Sequence, residues 1–404
     1  LPGISIILKF IFCLSVNLTN IADIFFSQMA DHIDTILLVV FCIFASSVAI
    51  QLFYYLFFYL SVYLKKPNEN KNTSEPVSVI ICARNEAENL SVHLSSILEQ
   101  DYPEFEVIVV NDCSEDNSYI ILGEYLKKYP HLRISTINKD PKFTHNKKFA
   151  QFIGIKAAKN ELLLFTDADC QPESDQWLKG MVSNFNADTN FVLGYGGYLR
   201  RKGLLNKYIR YDSFTIAMQY LGMAIRGVPY MGVGRNMAYR RSVFFENKGF
   251  GSHSHIISGD DDLLVNAIAR GRNTAVELRS ETHTRSVPYT DLNQWILQKK
   301  RHFTTAPYYK FRDKFLLFLE PFTRILCYVS FIVLLCFIYL WPWVLAVFAL
   351  RLITQIIVFL LVEQKLNEPG LIGYLLFFDI FSPLINSIIF LSNSRNKPGI
   401  NKWK

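Results

Sequence analysis

The sequence has no CxxC pair: its seven cysteines are scattered at positions 13, 42, 82, 113, 170, 327 and 336. That spacing excludes a paired-thiol zinc site and a disulfide framework, and it fits reduced thiols. There is no GxxxxGK loop and no GxGxxG, because no third glycine follows Gly232 and Gly234; the common phosphate-cradling loops are therefore excluded. HExxH and GxSxG are missing too, which removes the zinc-protease and nucleophile-elbow schemes. No basic-aromatic stripe accompanies the net charge of +7, so nucleic acid is not an expected partner, and the basic flanks are read as meeting membrane headgroups. No internal repeat or low-complexity tract is present.

Charge itself is absent from Thr35 to Leu64 and from Ile325 to Leu350, in a 404-residue chain that is 50% hydrophobic. Each run exceeds the ~20 apolar residues that cross a bilayer. The first predicts a membrane helix over 35–64. The second, with its continuation from Leu352 to Val362, predicts helices over 322–341 and 343–363, broken at Trp341, Pro342 and Trp343, since proline breaks a helix and tryptophan favours the interface. A further run over 371–391 carries Asp379, Pro383 and Asn386, and is expected to span or to be re-entrant. Residues 1–34 read as an N-terminal segment, extracytoplasmic or, before Met29, non-native. Lys65 and Lys66 directly after the first span place the polar region 65–314 on the cytoplasmic side. A bacterial inner membrane is the expected location. Three further spans would put the basic tail 392–404, with Arg395, Lys397, Lys402 and Lys404, on the opposite side, which conflicts with the same charge rule.

Within 65–314, strand-like runs alternate with helix-like ones, which predicts an α/β domain with a largely parallel sheet. Strands are expected at Val77–Cys82, Val107–Val110 and Leu162–Phe165, with a helix following the second from Ser118 to Lys127. Ligands bind outside the carboxyl ends of such strands, which is where Arg84, Asp112 and Asp167 fall. If the chain stays extended, Asp167 and Asp169 point to one side; two carboxylates aimed at one point repel unless a cation sits between them. Mg²⁺ or Mn²⁺ suits such oxygen ligands, and a solvated acidic turn is the alternative. Asp112 reads as a nucleotide contact or a helix cap. Asp260, Asp261 and Asp262 precede an apolar run: one can serve as general base, or all three can sit on a helix dipole. A helix starting near Asp291 would put Gln298 and Arg301 on one face, to hold a diphosphate or lipid phosphates. His253 and His255 are read as polar surface. Tyr208, Phe214, Met218, Tyr220, Met223 and Tyr230 are read as core.

The order of these pieces resembles the membrane-bound family 2 glycosyltransferases of GT-A (Rossmann-like) fold: Ala83, Arg84, Asn85 and Glu86 after a strand, Asp112, a lysine stretch, the DxD pair, the late acids and then QxxR before membrane helices. The resemblance implies that Arg84, Glu86, Asp112, Lys147, Lys148, Asp167, Gln298 and Arg301 bind a nucleotide-sugar donor. It also implies that Asp167 and Asp169 hold Mg²⁺ or Mn²⁺, and that Asp260, with Asp261 beside it, carries the catalytic base. Three positions depart from the family pattern: Asn111 stands for an aspartate, Gly259 for a glutamate and His302 for the tryptophan of QxxRW. The expected function is inverting transfer of a sugar from a nucleotide-diphospho-sugar, a UDP-sugar first, onto a membrane lipid or lipid-linked glycan. The alternatives are a processive polysaccharide synthase and a membrane-anchored nucleotide-sugar-binding protein without turnover.

Overall fold

The computed structural model describes residues 32–68, 74–139, 146–251, 256 and 258–395. The expectations for residues 1–31, for His253 and His255, and for Lys397, Lys402 and Lys404 lie outside the described residues. In chain order, helix α1 (His32–Leu64) precedes β1 (Val77–Ala83), α2 (Ala87–Leu98), β2 (Phe105–Asp112), α3 (Ser118–Lys128), β3 (Leu132–Ile137), α4 (Lys147–Ala157) and β4 (Leu162–Asp167). Then come β5 (Cys170–Pro172), α5 (Trp177–Val182), β6 (Phe191–Leu193), β7 (Gly196–Tyr198), α6 (Leu204–Ile225), β8 (Met237–Arg240) and α7 (Arg241–Glu246). The series ends with α8 (Asp262–Ile268), β9 (Thr274–Val276), β10 (Thr284–Ser286), α9 (Leu292–Phe303), α10 (Phe311–Cys336), α11 (Trp341–Lys365) and α12 (Leu375–Arg395).

The domain is α/β. Seven strands form one sheet in the order β3-β2-β1-β4-β8-β6-β9, and three form a second in the order β5-β10-β7. Strands β1 to β4 pair in parallel, which requires crossover helices and so covers both faces. That is why every residue of β1, apolar or not, is buried. Alternation decides what each residue meets. Val79, Ile81, Val107 and Val109 share a core with Leu90, Leu94 and Ile97 of α2 and with Trp177 and Met181 of α5, each large aliphatic contributing roughly 1.5–3 kcal/mol. Ile80 turns to α4, where a Cβ on Gly154 would lie 2.6 Å from its Cγ2; only glycine lets that helix sit so close.

The described residues divide into two units, one of residues 32–52 with Glu320–Ile353 and the other holding the rest. In the first, Phe44 and Val48 bury against Cys327, Leu334 and Val344. Gln51 Nε2 donates to Thr323 Oγ1 at 2.9 Å, and Arg351 donates to Tyr328 Oη at 3.2 Å and Gln51 Oε1 at 3.4 Å. An intramembrane cation is thus held by neutral oxygens between helices. The break between α10 and α11 falls at residues 337–340, where Ile338 and Leu340 adopt φ of 54° and 43°. This is earlier than the predicted break, because Pro342 occupies the first turn of α11, where its missing N–H costs nothing. The aromatic run read as core is core: Tyr208, Phe214, Met218, Tyr220, Met223 and Tyr230 are all buried.

Candidate active site

The parallel register brings the strand ends to one edge, pairing Ala83 with Asn111 and Cys82 with Asp167. Asn85 and Cys113 leave the sheet with φ of 55° and 53°, and the loops that follow are tied together. Asn85 N–H donates to Ser114 Oγ at 2.9 Å, and Glu115 N–H donates to Asn85 Oδ1 at 2.8 Å. Asp112 ends β2 fully buried and Glu86 is buried beside Ser118, whose Oγ accepts its N–H at 3.1 Å. Arg84 reaches the same corner, since both it and Asp112 act electrostatically on the Cys113 thiol.

Asp167 is the last residue of β4, but Ala168 and Asp169 form a turn before β5. The expected extended alternation is therefore replaced: the turn, not strand pleating, brings the two carboxylates together. Oxygens of Asp167 and Asp169 lie within 4.8 Å of each other and of Cys170 Sγ. Burial, reinforced by Asp169 and Asp167, holds the Cys170 thiol well above its ordinary pKa, so it stays protonated and is a poor metal ligand. Two partly exposed carboxylates remain, an oxygen set that fits a hard divalent cation.

Lys147, the first residue of α4, donates to Asp167 Oδ1 at 2.6 Å and lies 3.6 Å from Asp260 Oδ2. Burial alone would lower its pKa, but Asp167, Asp260 and Asp261 reverse this and hold it well above the ordinary value. Lys148 points elsewhere: its ammonium donates to the Ile256 carbonyl at 2.8 Å, and burial, only partly offset by Asp260, Asp262 and Asp261, brings its pKa down to about 8. The three late acids have separate surroundings. Asp260 is buried, and desolvation raises its pKa, with Lys147 opposing and Asp261 and Asp167 adding to the rise. Asp261 caps α8 and accepts the Gly234 N–H at 2.7 Å. Asp262 accepts from Thr305 Oγ1 and, at 2.7 Å, from Tyr309 Oη; burial and then Asp261 raise its pKa to about 7, against those hydrogen bonds.

Helix α9 begins where the spacing predicted, with the Asp291 side chain accepting the Asn293 N–H at 2.6 Å. Gln298 Oε1 accepts from Tyr198 Oη at 3.4 Å. Arg301 lies one turn on, next to His302, whose pKa is lowered by its enclosed setting and by Arg301, Lys299, Arg235 and Lys147. This imidazole is neutral in a strongly electropositive corner.

Three groups escaped the sequence reading. Lys299 is buried against Asp212 of α6 at 2.7 Å, which fixes α9 on α6. Glu368 is buried on Arg210 at 2.7 Å, on Arg285, and on Tyr195 Oη at 2.8 Å. Arg235 lies over the Tyr198 ring at 4.3 Å. One signal was present: Gly196 and Gly197 are adjacent, and a Cβ on either would strike Arg235 or Arg285 respectively.

Residues 78–246 match the model of Glycosyl transferase family 2. Over this stretch the chain is similar to the family 2 glycosyltransferases. Glycosyltransferase AglE of Haloferax volcanii is 30% identical over 46% of this chain and 58% of its own length. Hyaluronan synthase of Streptococcus pyogenes is 26% identical over 62% of each chain. The chain therefore spans about three fifths of these relatives. The structure of the mannosyltransferase PcManGT from Pyrobaculum calidifontis, in complex with GDP-Man and Mn²⁺, superposes with a TM-score of 0.59 at 18% identity, over 90% of this chain and 99% of that one. At that identity the likeness shows the fold alone, a GT-A fold. Among the described residues four helices, His32–Leu64, Phe311–Cys336, Trp341–Lys365 and Ile372–Ser392, are long and apolar enough to cross a membrane, as in a membrane protein.

Proposed function

We propose that the domain transfers a sugar, with inversion, from a nucleoside-diphosphate sugar, a UDP-sugar first, to a membrane lipid or lipid-linked glycan, at the cytoplasmic face of a bacterial inner membrane. The observation that carries this reading is Lys147, which touches both Asp167 of the DxD turn and Asp260. The group that would release the diphosphate and the group that would take the proton thus adjoin one cation. Asp112, Arg84 and Glu86 receive the nucleoside at the strand ends. Asp260 removes the proton from the acceptor hydroxyl; that oxygen bonds to the sugar's anomeric carbon as the bond to the diphosphate breaks. A carboxyl raised above the usual range is a better-matched base than a solvated one. Arg301 and Gln298 hold the departing diphosphate. A divalent cation held by Asp167 and Asp169 would supply further positive charge to that leaving group.

The likeness to a hyaluronan synthase favours a processive synthase as the second reading. Membranes containing the protein, given labelled UDP-sugars and GDP-mannose with Mg²⁺ or Mn²⁺, separate the two. Label in the lipid extract supports the first reading and label in polymer the second. Label in neither, with no nucleotide released, would overturn both.

The conflict over the basic tail also has a reading. Helix α12 lies along the domain, Phe378 meeting Tyr208 at 5.1 Å and Phe390 meeting Phe303 of α9 at 5.8 Å. Leu376, Phe377, Ile380, Leu384 and Ile388 are exposed. We infer that α12 rests in the interface with its apolar side in lipid, leaving the tail on the domain's side. A fluorescent reporter fused beyond residue 395 should then be active inside the cell, and an active periplasmic phosphatase fusion there would refute this.

A further inference from the structure

Strand β7 carries two arginines across its two glycines, and they are treated differently. A Cβ on Gly197 would lie 2.6 Å from Glu368 Oε1 and would also strike Arg285 Nη1. Arg285 is neutralised there by Glu173 at 2.5 Å and by Glu368. A Cβ on Gly196 would lie 2.8 Å from Arg235 Cγ and 3.0 Å from its Nε, yet no carboxylate forms an ion pair with Arg235 among the described residues. Its supports are neutral: the Tyr198 ring at 4.3 Å and Ser213 Oγ, which accepts from Nη2 at 3.0 Å. Nε is buried and has no hydrogen-bond partner among the described residues. Asp167 acts on the guanidinium electrostatically without pairing with it.

The position of this cation matters as much as its isolation. Arg235 directly follows Gly234, whose N–H is held by Asp261. Tyr198, beneath it, donates to Gln298, and the Arg235 charge bears on His302. It therefore stands between the late acids, the DxD turn and α9. A guanidinium clamped on an aromatic face, with its Nε unpaired and no carboxylate partner among the described residues, is built to receive an anion.

We propose that Arg235 is a phosphate-binding residue, and that Gly196, Tyr198 and Ser213 hold its guanidinium in place for a substrate phosphate. The inference rests on the glycosyltransfer reading above, and the phosphate has two sources: the donor's diphosphate or a phosphomonoester on a lipid acceptor. The test uses the full chain in detergent with Mn²⁺, and titrates UDP and GDP in one arm, and farnesyl phosphate against farnesol in the other. Wild type is compared with Arg235→Gln, Arg235→Lys and Asp167→Asn, each first shown to melt as wild type does. Loss of at least tenfold in nucleotide affinity in Arg235→Gln, partly restored in Arg235→Lys, supports the donor's diphosphate. Unchanged nucleotide affinity with lost preference for farnesyl phosphate over farnesol supports the acceptor's phosphate. If Arg235→Gln binds all probes as wild type does while Asp167→Asn has lost the nucleotide, the Arg235 inference is wrong and the glycosyltransfer reading stands. If Asp167→Asn also binds nucleotide normally, that reading fails and takes the inference with it.

Discussion

The two halves of the α/β domain are held together by different means. From β1 to β4, strand and crossover helix alternate, the parallel register fixes the strand ends, and the cohesion is apolar burial spread over many side chains. From β5 to α9 the strands are short and pair out of chain order, and buried charge does the joining: Asp212 with Lys299, and Glu368 with Arg210 and Arg285. Spread-out apolar contacts tolerate single losses, whereas a buried ionic hub exposes uncompensated charge when one member is removed. The first half should therefore be the more forgiving.

The largest expected effect lies where the halves meet. Asp260→Asn should lower turnover by about 10² to 10⁴-fold while UDP or GDP affinity, measured by titration, stays near wild type; normal turnover would remove Asp260 from the base role. Next comes the ionic hub. Glu368→Gln leaves two buried guanidiniums short of a counter-charge and should cost about 3–5 kcal/mol, seen as a drop in the thermal midpoint; an unchanged midpoint would break the comparison. Gly154→Ala probes the first half, where the added methyl meets Ile80, and overpacking there should cost about 1–3 kcal/mol in the same melting assay. A loss larger than that of Glu368→Gln would reverse the order proposed for the two halves.

The smallest effect is a slope. Asp262 titrates at about 7 in the folded chain against an ordinary 3.8. Below the lower value both states hold the proton, and above the higher one both have lost it. In between only the unfolded chain ionises, so this carboxyl lowers stability as pH rises through that window. Asp262→Asn should flatten the change in melting midpoint between roughly pH 4 and pH 7, and an unaltered slope would show that another group carries it.

What was legible in the sequence was local. The strands β1, β2 and β4 were readable because fully buried parallel strands are written as continuous apolar runs, and α9 because its cap and its spacing lie within one helix. Asp112 and Asp167 could be picked out because they end such strands, and Asp260 because it stands just before an apolar helix. The extended geometry expected for Asp167 and Asp169 was wrong, since a turn at Ala168 needs no glycine or proline to announce it. Arg235, Glu368 and Asp212 gave no sequence signal of their own.

The sequence by itself determined an α/β domain bounded by apolar helices and the acids at its strand ends, because hydrophobic period and strand-end position are properties of a single segment. Only the tertiary structure decided that Lys147 bridges Asp167 and Asp260, that Glu368 neutralises Arg285, and that Arg235 has no ion-pair partner among the described residues. Those pairings join residues as far apart as Arg210 and Glu368, and a charge's partner is set by which chains fold past it, which no local pattern encodes.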